Sequence, residues 1–133
     1  MQIGRKNVHG KGGVRFKTGY TASKKKAQVR NLVTELIVYE KVTINKGMVK
    51  DVVKEFDHLV TLAKRGDQHA KRLAAAVVKD YKVDENTTAL DKLFTVLPKT
   101  FEGRNGGYLR TLHVANRKGD NAPCSVLVYS TTK

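Results

Sequence analysis

The sequence predicts an α+β fold: a basic extended N-terminal arm over residues 1–20, then a single globular α+β domain over 21–133 in two layers, helices packed on a small sheet. Three observations predict it. Apolar residues recur at helical spacing in four successive segments before Pro98. Beyond Pro98 the pattern changes to two strand-like runs on either side of a polar loop. Residues 1–31 hold nine Lys or Arg and no carboxylate, the first acid being Glu35.

Residues 1–19 have five glycines and few apolar side chains, too little to bury a core of their own, so an arm ordered by a partner is expected. The first helix begins near Thr21 or Ser23, either of which could cap it. Its buried face is Val29, Leu32, Val33, Leu36 and Ile37. Lys24, Lys25, Lys26 and Arg30 crowd its first half, where they oppose the helix dipole, so something anionic should compensate them. A short extended piece, 42–44, follows. Asn45 could cap a second helix with a stripe of Val49, Val52, Val53, Phe56, Leu59, Val60 and Ala63, stopped at Gly66. Asp67 can cap a third, with Leu73, Ala74, Val77 and Val78 facing inward. A polar segment, 84–88, precedes a fourth, short helix bearing Leu90, Leu93, Phe94 and Leu97, which Pro98 ends. Strands over 108–114 and 124–129 then form a hairpin.

The 133 residues carry 26 Lys and Arg against 12 Asp and Glu, a formal charge of +14. Such a surplus repels itself and is best tolerated against a polyanion: nucleic acid first, an anionic membrane surface second. Cys124 is the only cysteine, which excludes an intramolecular disulfide and fits a reducing compartment. No apolar run approaches the roughly 20 residues that span a bilayer, and no signal-peptide core is visible. The expected location is cytoplasmic.

Two kinds of basic segment could bind RNA. In the first third, Arg5, Lys6, Lys11, Arg15 and Lys17 alternate with glycines, while His9, Phe16 and Tyr20 could stack on bases. The bland alternative is a solvated basic tail. The second is Arg104-Asn105-Gly106-Gly107-Tyr108-Leu109-Arg110, whose glycines expose backbone N–H groups beside two guanidinium forks. An ordinary Asn-Gly turn explains it as well. The run 116–121, with Arg117 and Lys118, reads as a basic hairpin tip facing RNA or solvent. Other patterns carry less. Arg65-Gly66-Asp67 reads as a turn between helices, Gly10-Lys11 lacks the P-loop flanks, and the four histidines have no metal spacing. A DNA reader built on Gln68, His69, Lys71 and Arg72, and a nuclease holding a metal on Asp51, Glu55 and Asp57, are the rival classes. The first lacks base-reading residues elsewhere. The second interleaves its acids with lysines.

Four segments go further: Arg30-Asn31-Leu32, the run 59–67, the run 104–110, and Gly119-Asp120-Asn121-Ala122-Pro123. Together, in order and with compatible spacing, they closely resemble the family of bacterial large-subunit ribosomal protein seventeen, from about Arg15 to Tyr129. The resemblance implies a structural ribosomal component without catalysis, on the outside of the large subunit near the polypeptide exit tunnel. Its partners would be large-subunit rRNA and neighbouring large-subunit proteins, with no cofactor, metal, small-molecule substrate or membrane insertion. It places Arg30, Asn31, Arg104, Asn105, Gly106, Gly107, Tyr108 and Arg110 among the rRNA-facing residues. Arg117, Lys118, Asp120 and Asn121 could join them, Asp120 equally serving the turn. The charge argument adds Lys24, Lys25 and Lys26 and the arm residues. The chain departs from the family pattern at Met1-Gln2-Ile3-Gly4-Arg5-Lys6, at Lys25-Lys26 and over 43–51.

Overall fold

The computed structural model describes residues 22–130. In chain order these form α1 (Ala22–Tyr39), β1 (Lys41–Asn45), a 3-10 turn (Lys46–Met48), α2 (Val49–Arg65), α3 (Gln68–Ala75), α4 (Ala89–Thr95), α5 (Leu97–Thr100), β2 (Leu109–His113) and β3 (Cys124–Tyr129).

Helix α1 buries Leu32, Val33, Leu36 and Ile37, the stripe its spacing predicts. Ser23 lies within the first turn rather than capping it, and Thr21 falls outside the described residues. The helix closes on Glu40 in the left-handed conformation (φ 67°), whose N–H donates to Leu36 O at 2.9 Å. Lys92 Nζ donates to Val38 O at 3.1 Å and so serves an orphan carbonyl of the last turn.

Helix α2 buries Val52, Phe56, Leu59, Val60 and Ala63, as predicted, together with Leu62. Asn45 does not cap it. The chain spends Lys46–Met48 in a 3-10 turn, so α2 begins four residues beyond Asn45 and Met48 occupies its N-cap position. Gly66 ends α2 at φ 70°, where a side chain would be strained. Asp67 caps α3 as expected: its carboxylate accepts the Ala70 N–H at 2.7 Å, and this bond holds the carboxyl below its ordinary pKa.

In α3 the inward residues are Ala70 and Ala74, while Leu73 is 43% exposed, contrary to expectation. Each helical step turns about 100°, so Ala70 and Ala74 share a face, and Leu73 lies about 60° from the first and about 100° from the second. Two alanines there let α3 lie close on α2. Thr88 and Asp91 then form a reciprocal capping box at the start of α4. Pro98 does not end the fourth helix, which stops at Thr95. It opens α5 instead, because proline lacks only an N–H that the first turn does not use.

The hairpin of β2 and β3 is present, and β1 completes a three-stranded antiparallel sheet in the order β1-β3-β2. Val42 lies opposite Leu127, and Thr111 opposite the same residue from the other side. The helices cover one face of this sheet. Four rings knit the two layers: Phe101 sits 5.1 Å from Tyr108, 5.2 Å from Tyr129 and 6.2 Å from Phe56, centroid to centroid. Tyr129 Oη donates to Leu36 O at 2.8 Å, tying β3 to α1, and burial pushes its hydroxyl above the usual tyrosine range.

Candidate nucleic-acid interface

The first half of α1 carries Lys24, Lys25, Lys26 and Arg30, and the fold sets it against the first half of α2. Lys25, Lys26, Val29, Arg30, Asp51, Lys54, Glu55 and Val77 line one cleft of about 480 Å³ there. The anion expected to offset these cations is partly internal: Asp51 Oδ2 lies 3.3 Å from Lys25 Nζ. Lys26 and Arg30 are exposed, and Asn31 is half-buried. On its other flank α1 meets the hairpin tip, where Gln28, Leu32, Asn45 and Arg117 share a second cleft of about 250 Å³.

At that tip Arg117 makes a forked contact with Asp120, Nε to Oδ1 at 3.1 Å and Nη2 to Oδ2 at 2.6 Å. The Ala122 N–H also donates to Asp120 Oδ1 at 3.1 Å. These bonds, Arg117 first, hold the Asp120 carboxyl down to a pKa of about 2. Asp120 is thereby a turn residue, and Asn121 takes φ 55° beside it. Arg117, Lys118 and Asp120 remain exposed around this hydrogen-bonded turn.

The Arg104–Arg110 segment lies at the other end of α2. Lys64 Nζ donates to Arg104 O and stands 4.8 Å over the Tyr108 ring. The Tyr108 N–H donates to the Asp57 carboxylate, whose burial raises its pKa, this bond offsetting part of the rise. Tyr108 is 3% exposed, packed on Phe101, so its ring shapes the loop from beneath. Asn105, Gly106 and Gly107 are exposed, Gly107 at φ 59°, and Arg104 is half-buried.

The structure therefore sorts the sequence-marked residues into two groups. Thirteen helical steps of α2 separate Asp51 from Lys64, about 20 Å of helix. Strand β2 joins the groups: it leaves the Tyr108 loop at Leu109 and ends at His113, shortly before the tip. Four of its five residues are exposed. The Ser130 N–H donates to Tyr108 O at 2.9 Å, which sets the phase of the ladder. Arg110 and Leu112 then bond inward to β3, and the backbone groups of Leu109, Thr111 and His113 face the open edge. Sequence reading passed over Lys54 and Lys64, which have no local motif and become neighbours of the marked residues only through the fold, and Thr111 and His113, which follow Arg110 along β2. Arg5, Lys6, His9, Lys11, Arg15, Phe16, Lys17 and Tyr20 lie outside the described residues.

The rival sites come apart. Asp51 near the start of α2 turns to Lys25, and Asp57 at mid-helix takes the Tyr108 N–H, so these two acids serve different partners. Asp67, with Arg65 at 3.1 Å, belongs to the turn between α2 and α3.

A family model described as ribosomal protein L17 matches residues 28–130. The chain belongs to the ribosomal protein L17 family. Large ribosomal subunit protein bL17 of Mycoplasma capricolum is 46% identical over 111 residues, covering 84% of this chain and 93% of that protein. The bL17 proteins of Lactococcus lactis subsp. cremoris (43% over 119 residues) and Streptococcus pneumoniae (39% over 121) cover the same 84% of this chain and 94% of their own length. The family match takes in the Arg104–Arg110 segment, β2 and the hairpin tip, and begins inside α1.

Proposed function

We propose that this L17-family chain is a non-catalytic constituent of the large ribosomal subunit in the cytoplasm, stabilising folded large-subunit rRNA near the polypeptide exit tunnel. Family membership carries the ribosomal reading. The track from α1 along the hairpin tip and β2 to the Arg104 loop describes how RNA is held: cations neutralise phosphates and release counterions, while exposed glycine backbone at 106 and 107 approaches closely. Arg110 and Arg104 supply forked donors. Arg5, Lys6, His9, Lys11, Arg15, Lys17 and Tyr20 extend the contact from the N-terminal arm over residues 1–20, outside the domain proposed for 21–133. Neighbouring ribosomal proteins complete the surroundings. Among the described residues no helix is long and apolar enough to cross a membrane.

Sedimentation tests this directly. The protein should travel with the large subunit through a sucrose gradient and stay there after a high-salt wash. Recovery at the top of the gradient would reject the proposal.

A further inference from the structure

At the far end of α1, about 21 Å of helix beyond Lys25, the surface changes character. Tyr39 is 69% exposed and Tyr81 43%. Both line a groove of about 300 Å³ with Glu35, Val38 and Lys82. Two half-bare tyrosines at one groove are costly to leave in water and are typical anchors of an interface. They could stack on RNA bases or hold a cation against their faces.

The surrounding charge decides between these. Residues 35–41 and 79–92 hold six of the chain's 12 carboxylates, Glu35, Glu40, Asp80, Asp84, Glu85 and Asp91, against four lysines. The remainder holds 22 cations against six carboxylates. A phosphate backbone entering here would meet Glu35 and the acids on either side of Lys82. The edges of this groove are also held in place. The Lys79 N–H donates to the buried Thr34 Oγ1 at 3.0 Å, the Ala89 N–H donates to Tyr81 O at 2.8 Å, and Lys82 bridges to Thr88.

We propose that the Tyr39–Tyr81 groove docks a Lys- or Arg-bearing segment of a neighbouring protein, its cations lying against the tyrosine faces and Glu35. The inference rests on the proposed place in the large subunit and adds to it a protein-facing end, distinct from the cationic track. Acidic surface would be wasted against RNA. Against the basic proteins that share an rRNA scaffold it is complementary.

Photocrosslinking tests it in the assembled particle. Benzoylphenylalanine is installed at position 39 or 81 of the full chain, large subunits are purified and irradiated, the RNA is digested, and the adducts are sequenced by mass spectrometry. The expected adduct falls on another ribosomal protein, within a few residues of Lys or Arg. A control probe at position 73, exposed on α3, should not give the same adduct. Adducts on rRNA, adducts on residues 1–21 of the same chain, or none in particles that contain the probe would overturn the inference and leave the rRNA reading intact. Absence of the unsubstituted chain from the large subunit would overturn both.

Discussion

Replacing Lys26 and Arg30 together by glutamine should flatten the salt dependence of rRNA binding without unfolding the chain. Both side chains are exposed at the cleft between α1 and α2, so neither substitution opens the core. Each phosphate contact contributes roughly 0.7 to 0.9 to the slope of log affinity against log salt. Two lost contacts therefore remove roughly 1.4 to 1.8 units, and the fall in affinity between 50 and 200 mM salt shrinks about tenfold. Lys25→Gln should do less than one such contact. Its ammonium already lies 3.3 Å from Asp51, which limits what it gives to a phosphate. By the same logic Asp51→Asn should steepen the slope by up to about one unit, since Lys25 is then available to phosphate. The assay is filter binding of the full chain to large-subunit rRNA across a salt series, with circular dichroism as a folding control. Equal slopes for the native chain and the double variant would refute the reasoning. So would a larger effect from Lys25 alone.

Three further outcomes are expected. Phe101→Ala, at a fully buried ring touching Phe56, Tyr108 and Tyr129, should cost about 3–5 kcal/mol in urea denaturation. A loss below about 1 kcal/mol would deny the four-ring cluster its role in joining helices to sheet. The Asp120 carboxyl should titrate by NMR at about 2 instead of its ordinary 3.8. Its folded pKa is depressed, so the contact with Arg117 is fully stabilising above 3.8 and is lost as pH falls through about 2; a midpoint at the ordinary value would show the fork absent in solution. Leu73→Lys should change stability by no more than about 0.5 kcal/mol, because the residue is 43% exposed and stands outside the buried face of α3. A thermal melt shifted by many degrees would restore Leu73 to the core.

What was legible in the sequence follows the range of the interactions concerned. The stripe of α2, the left-handed Gly66 and the Asp67 cap are set within a turn or two of chain, and all three stand in the structure. The misreadings occur where distant packing chooses between local options. Leu73 has the stronger apolar side chain, but α3 lies close on α2 and the contact face takes Ala70 and Ala74. Pro98 suits a helix stop and a helix start equally in local terms, and in the fold it stands in the first turn of α5. Asn45 has the chemistry of a cap, yet as the last residue of β1 it is paired opposite Cys124, and the helix waits until Val49. The segment 42–44 reads as a short extended piece, and it is the core of strand β1. Its place at one edge of the sheet depends on β3, more than eighty residues away. The basic clusters were legible as composition, whereas their arrangement into two groups was not.

Helix α2 explains that arrangement and gives its acids a purpose that their sequence spacing hid. Asp51 and Glu55 read as a solvated face, or with Asp57 as a metal site, because they recur along one helix. In the fold Asp51 fastens Lys25 of α1 near one end, while Asp57 takes the Tyr108 N–H and Lys64 takes Arg104 O toward the other. The helix thus acts as a spacer that fixes the two cationic groups about 20 Å apart. Its inward stripe is locked by the aromatic cluster through Phe56. A flexible chain with the same charge would have to lose conformational entropy on each phosphate it met. Here the spacing is settled before binding, and the acids that seem to weaken a basic protein are the groups that settle it.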